Sequence, residues 1–165
     1  SSSVFTAPVE HSLGVSSAFK GAVAIGTKVC FAPYNAGSVG LYDVGTGLFD
    51  TITATGPGTS DRLQDGAAGG TLAVFAPAHA DVVGTFDVGT SMFETWPVSS
   101  NLVGLSWKYQ GAAAVGNQVV FAPSGASYVG LFNTVDKTFD TVSIAGVGSY
   151  PYAGAAAVSA AMPKS

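Results

Sequence analysis

The string Phe-Ala-Pro occurs three times, at Phe31-Ala32-Pro33, Phe75-Ala76-Pro77 and Phe121-Ala122-Pro123, at spacings of 44 and 46 residues. Three other landmarks keep step with it. Gly-Ala precedes it at Gly21-Ala22, Gly66-Ala67 and Gly111-Ala112, and recurs at Gly154-Ala155. Val-Gly follows at Val39-Gly40, Val83-Gly84 and Val129-Gly130. Each unit then ends in Phe-acid-Thr, at Phe49-Asp50-Thr51, Phe93-Glu94-Thr95 and Phe139-Asp140-Thr141. Four landmarks in register across three units restrict the chain to architectures that repeat one supersecondary element.

Within a unit the residues predict four short strands. In the first, Ala22–Ile25, Lys28–Ala32, Ser38–Asp43 and Leu48–Thr53 are rich in β-branched and aromatic residues. Gly26-Thr27, Asn35-Ala36-Gly37 and Gly45-Thr46-Gly47 separate them as turns. No segment holds a capped 3.6-residue apolar period, so no helix is expected. Four strands at a period of about 40–50 residues indicate a β-propeller blade. The innermost strand crowds the axis and needs small residues, which the Gly-Ala runs supply. Phe31, Phe75 and Phe121 supply bulk between blades.

The expected fold is therefore all-β and propeller-like, with three full repeats (19–63, 64–108 and 109–150) and partial repeats at 1–18 and 151–165. In the C-terminal part, Tyr152 to Val158 copies Tyr109 to Val115. In the N-terminal part, Val4 to Pro8 and Ser12 to Val15 read as second and third strands. The expectation is that these ends pair as a reduced fourth blade and close a small ring, which removes exposed sheet edges. The other reading is an arc of a larger propeller.

The unit, Gly-Ala then Val-x-Phe-Ala-Pro, Val-Gly-Leu-x-Asp and Thr-x-x-Phe-Asp-Thr, resembles Kelch-like β-propeller repeats, and is most similar to repeat units abundant in algal, notably dinoflagellate, proteins. The resemblance covers residues 19–160. It departs from true Kelch repeats in that the double glycine occurs only as Gly69-Gly70 and the blade tryptophan is missing. The resemblance implies an interaction platform, although a propeller fold does not fix function.

Charge narrows the functional classes. Charged residues make up 10% of the chain and the net charge is −4, against about 25% charged residues in ordinary domains. No basic stripe is present to neutralise phosphates, so nucleic acid is not an expected partner. Residues 109–135 and 141–163 carry no charge. Such a surface is either neutral or covered by partners. The first eight residues lack the basic and apolar regions of a secretion signal, and Ala153 to Met162 is too short and weak to span a bilayer.

The chemistry-bearing residues mostly have structural readings. Asp43, Asp87 and Asn133 precede hairpin turns and are expected to cap them; one acid per turn is too few for calcium. Asp50, Glu94 and Asp140 keep the repeat, as packing residues do. His79 sits at a variable loop position. Cys30 stands where the other units have Val74 and Val120, which suggests a small buried hydrophobe, and a lone cysteine excludes an internal disulfide. No catalytic residue, cofactor or metal is expected. The aromatic residues Trp96, Trp107, Tyr34, Tyr128 and Tyr150 are the candidate partner-binding set, the two tryptophans because neither has an aromatic counterpart in the other units and the pair brackets the connection between the second and third units. The functional expectation is a non-enzymatic scaffold that binds protein partners in a larger assembly. The alternatives are a glycan-binding propeller, which a glycan array would reveal, and a propeller hydrolase or lyase, against which the Gly/Ala inner strands speak.

Overall fold

A computed structural model describes residues 13–58, 62–145, 152 and 154–156. Among the described residues, twelve strands fall into three antiparallel sheets of four. The first holds β1 (Phe19–Ile25), β2 (Lys28–Pro33), β3 (Ser38–Asp43) and β4 (Leu48–Thr53). The second holds β5 (Leu63–Gly69), β6 (Leu72–Pro77), β7 (Val82–Asp87) and β8 (Met92–Pro97). The third holds β9 (Tyr109–Val115), β10 (Gln118–Pro123), β11 (Tyr128–Asn133) and β12 (Phe139–Ser143). One 3-10 turn, Ser100–Leu102, interrupts the link between the second and third sheets.

Each sheet is a consecutive meander, and the first strands lie side by side: β1 packs on β5, and β5 on β9. Among the described residues the three blades form an arc, and no closed ring is seen. The expected fourth blade rests largely on residues 1–12 and 157–165, which lie outside the described residues. Only its start is visible, where Gly154 and Ala155 stand against Gly111.

Turn chemistry fixes each meander. Asp43 Oδ1 accepts from the Gly45 N–H at 2.8 Å, Asp87 Oδ1 from Gly89 at 2.7 Å, and Asn133 Oδ1 from Val135 at 2.9 Å. These are the expected side-chain caps.

The two faces of a blade differ. The near face carries a ladder across its strands. In blade 3, Tyr109, Phe121 and Phe139 have ring centroids 5.7–6.2 Å apart; blade 1 repeats this with Phe19, Phe31 and Phe49. The third strand has glycine under the ladder, because a Cβ on Gly130 would meet Tyr109 at 2.9 Å and Phe139 at 3.0 Å. The far face is aliphatic. Between blades 1 and 2, the far-face Val23, Cys30, Val39 and Ile52 pack against the near-face Leu63, Phe75 and Phe93. Between blades 2 and 3, Val74, Val83 and Trp96 pack against Tyr109, Phe121 and Phe139. The core is thus two copies of one junction. Cys30 is fully buried in the first, as expected, and burial pushes its thiol up to about 11 against a weaker pull from Lys28.

Candidate loop-face site at the strand-one end

The residues that precede each first strand build a platform. The Ala18 carbonyl accepts from the N–H groups of Tyr34, Asn35 and Ala36 at 2.9–3.1 Å. Arg62 and Lys108 occupy the same place in the next two units and also reach back to the preceding blade. The Arg62 N–H donates to the Tyr34 carbonyl at 3.1 Å and its Nη1 to the Ala36 carbonyl at 2.9 Å. Lys108 is fully buried. Its Nζ donates to the carbonyls of His79, Ala80 and Leu105 at 3.1, 3.0 and 2.7 Å and pairs with Asp81 at 2.9 Å. A buried ammonium is tolerable only when its protons are all placed in this way. Burial pushes the Asp81 carboxyl up, but the hydrogen bonds from Lys108 and the Gly104 N–H outweigh it and hold Asp81 below its ordinary value.

On this platform four side chains meet: Lys20 and Tyr34 of blade 1, His79 from the loop after β6, and Trp107 from the stretch before β9. The half-buried Trp107 ring lies 6.4 Å from the Tyr34 ring and edge-on to His79 at 4.7 Å. Lys20 Nζ stands 4.9 Å from the Tyr34 ring centroid and 4.8 Å from that of Trp107, within cation–π range. His79 Nε2 is buried without a hydrogen-bond partner. Trp107 has φ +53°, and Ser17, its counterpart before the first blade, has φ +50°. The left-handed backbone belongs to the repeat; a bulky aromatic placed on it does not.

The axis beside this platform corrects the sequence reading. The strand pairings set Ala22 opposite Phe31, Gly66 opposite Phe75 and Ala112 opposite Phe121. Gly66 therefore matches Ala22 and Ala112, and the residue matching Gly21 and Gly111 is Asp65. All three occupy a bulge with positive φ, +83°, +49° and +90° in chain order. The inner strands are thus not purely Gly and Ala. Asp65 and six small residues of β1, β5, β9 and 154–155 line a cavity of about 220 Å³. Burial raises the Asp65 carboxyl above its ordinary range, against weaker opposing effects of Lys20 and a Gly111 N–H hydrogen bond. The landmark spacing held this signal: Gly21 and Gly111 stand ten residues before the Phe of Phe-Ala-Pro, as does Asp65, whereas Gly66 stands nine before it.

The candidate aromatic residues separate. Tyr34 and Trp107 share the platform. Trp96 lies within β8, paired with Val83, at the place of Ile52 and Val142, so it belongs to the repeat instead of the connection. Its Nε1 donates to Thr85 Oγ1 at 3.0 Å, and it packs into the junction between blades 2 and 3. Tyr128 begins β11 and packs against the same junction. Tyr150 lies outside the described residues.

No protein-family model matches this chain, and no curated protein sequence is similar to it. Solved structures are similar in fold. Kuenenia stuttgartiensis hydrazine synthase superposes on 90% of this chain and 41% of its own, with TM-score 0.62 and 15% identity. U3-55K superposes on 81% of this chain and 40% of its own, with TM-score 0.57 and 15% identity. The WD40 repeats of RRP9 superpose on 70% of this chain and 35% of that chain, with TM-score 0.52 and 15% identity. The chain thus spans about two fifths or less of each. At such identity the likeness shows the fold: blades of the propeller type found in WD40 repeats.

Proposed function

We propose that the chain is a non-enzymatic propeller scaffold of Kelch-like repeats, with repeat bounds 19–63, 64–108 and 109–150, and that it binds a protein partner through its strand-one loop face as an accessory part of a larger assembly. The observation that carries this reading is Trp107. It stands half-exposed on a left-handed backbone where the repeat has Ser17, and it groups with Tyr34, His79 and Lys20 on loops fixed by Arg62 and Lys108. A strained bulky residue on a rigid loop platform supports a functional role. Aromatic residues beside a cation are the usual anchors of protein interfaces. The WD40-type fold of the neighbours supports a scaffold in the same direction. Capture from a native extract with wild type and Trp107→Ala tests it. The expected result is that Trp107→Ala loses the captured protein, a change of about 2 kcal/mol or more in affinity, with an unchanged melting curve. Equal capture by both would refute the assignment.

A further inference from the structure

Arg62 and Lys108 are matching cations, and each reaches back into the loop after the second strand of the preceding blade. In those loops Gly37 matches Asp81: the Gly37 carbonyl accepts from the Ala54 N–H as the Asp81 carbonyl accepts from the Val98 N–H. For Lys108 the loop completes the site, with three carbonyls and the Asp81 carboxylate around Nζ. For Arg62 it does not. Arg62 Nη1 donates to the Ala36 carbonyl at 2.9 Å, but Nε is buried without a hydrogen-bond partner, and among the described residues no carboxylate pairs with it. Arg62 is only 8% exposed, and a buried guanidinium without a counter-charge is costly. Where the second loop has Asp81, the first has open space. Gly37 is exposed, its φ is not positive, and a Cβ on it would have nothing within 4 Å.

We propose that this space takes a carboxylate from the protein partner: an Asp or Glu side chain of an acidic segment stands beside Gly37 against Arg62, as Asp81 stands against Lys108. This rests on the loop-face reading above and adds the partner's charge to it. The second loop supplies the template. Lys108 is fully buried, yet the Asp81 side chain that pairs with it is 42% exposed, so a carboxylate can meet such a cation from the solvent side. A guanidinium also offers paired N–H donors that match a carboxylate. The surroundings agree in sign. Lys20, 4.9 Å from the Tyr34 ring centroid, likewise makes no ion pair among the described residues, and the Arg62 N–H donates to the Tyr34 carbonyl. Two cations without ion pairs thus meet at one aromatic residue of the platform, in a chain of net charge −4.

Fluorescence anisotropy of labelled hexaglutamate with the 165-residue chain tests it, with hexaglutamine as the uncharged peptide. Arg62 helps to hold the fold, so the substitutions go to the loop. Gly37→Asp supplies the missing carboxylate from within, and Gly37→Ala supplies only the Cβ. Ser127→Asp adds the same charge at the matching position of the third unit, where the sequence has Pro151 at the place of Lys108. The expected wild type binds hexaglutamate at least about tenfold more tightly than hexaglutamine. Gly37→Asp loses that preference and melts above Gly37→Ala, while Gly37→Ala and Ser127→Asp keep it. A wild type without the preference, the outcome if Glu10 or Asp61 pairs with Arg62, overturns the proposal. So does a Gly37→Asp variant that keeps the preference, or a Ser127→Asp variant that loses it. Equal capture of the partner by wild type and Trp107→Ala refutes the loop-face reading without changing these peptide results. Full capture by Gly37→Asp where Trp107→Ala captures nothing overturns this proposal alone.

Discussion

Asp65 and Lys108 show how single side chains are constrained here. Asp65 has a left-handed backbone at φ +49°, which Asp and Asn tolerate better than Ala. It also accepts the Gly111 N–H across a blade junction. Asp65→Asn should keep both features and change stability by less than about 0.5 kcal/mol, whereas Asp65→Ala loses the acceptor and keeps the strain, at about 1–2 kcal/mol. Urea unfolding would distinguish them. The titration has a definite sign. The folded Asp65 carboxyl lies above its ordinary 3.8, so its contribution falls as pH rises through the folded value, and Asp65→Asn should remove that fall. Asp43 and Asp81 lie below 3.8 when folded, Asp43 chiefly through its hydrogen bond from Lys28. Their contribution is present above 3.8 and is lost as pH drops through the folded values. Lys108→Met strands three carbonyls and Asp81. It should cost about 3 kcal/mol, read as a lower urea midpoint with unchanged slope.

Within an element, the glycine on the third strand decides how a blade packs. Gly84 lies beneath Leu63 and Phe93, and an added Cβ would stand 3.0 Å from the Phe93 ring and closer still to the Leu63 side chain. Gly84→Ala should therefore destabilise by about 1–3 kcal/mol through overpacking, seen as a lower melting temperature. The same change at Gly37, where nothing lies within 4 Å, should be nearly silent. Most strands were legible because local signals agree: Ser38–Asp43 and Leu48–Thr53 have the bounds that their turns predict. The inner strands were less legible. Β1 begins at Phe19, ahead of the predicted Ala22, because a bulge at Gly21 carries the pairing past the glycine. Asp65 was missed because the Gly-Ala dipeptide of the second unit slides by one residue against the pairing register. Trp96 was placed in a connection because its equivalents are aliphatic, and only the register Val83–Trp96 shows the match.

At the scale of the whole molecule, the repeat specified the blade, while the number of blades and the partner surface depend on long-range contacts. Tyr34 and Trp107 lie 73 positions apart in sequence, and Lys20 and Asp65 come from different blades. No spacing rule brings them together; the stacking of near face on far face does. That stacking is the claim on which the platform, the axial cavity and the arc all depend. The single thiol, Cys30, lies within the first junction, fully buried between Val39 and the blade-2 side chains Leu63 and Phe75. The rate at which a thiol reagent labels Cys30, measured in native buffer and across a urea series, tests it directly. The native chain should show no labelling on the timescale of a free thiol, and the rate should rise with urea in step with global unfolding. Labelling of the folded chain at the rate of an exposed cysteine would contradict it.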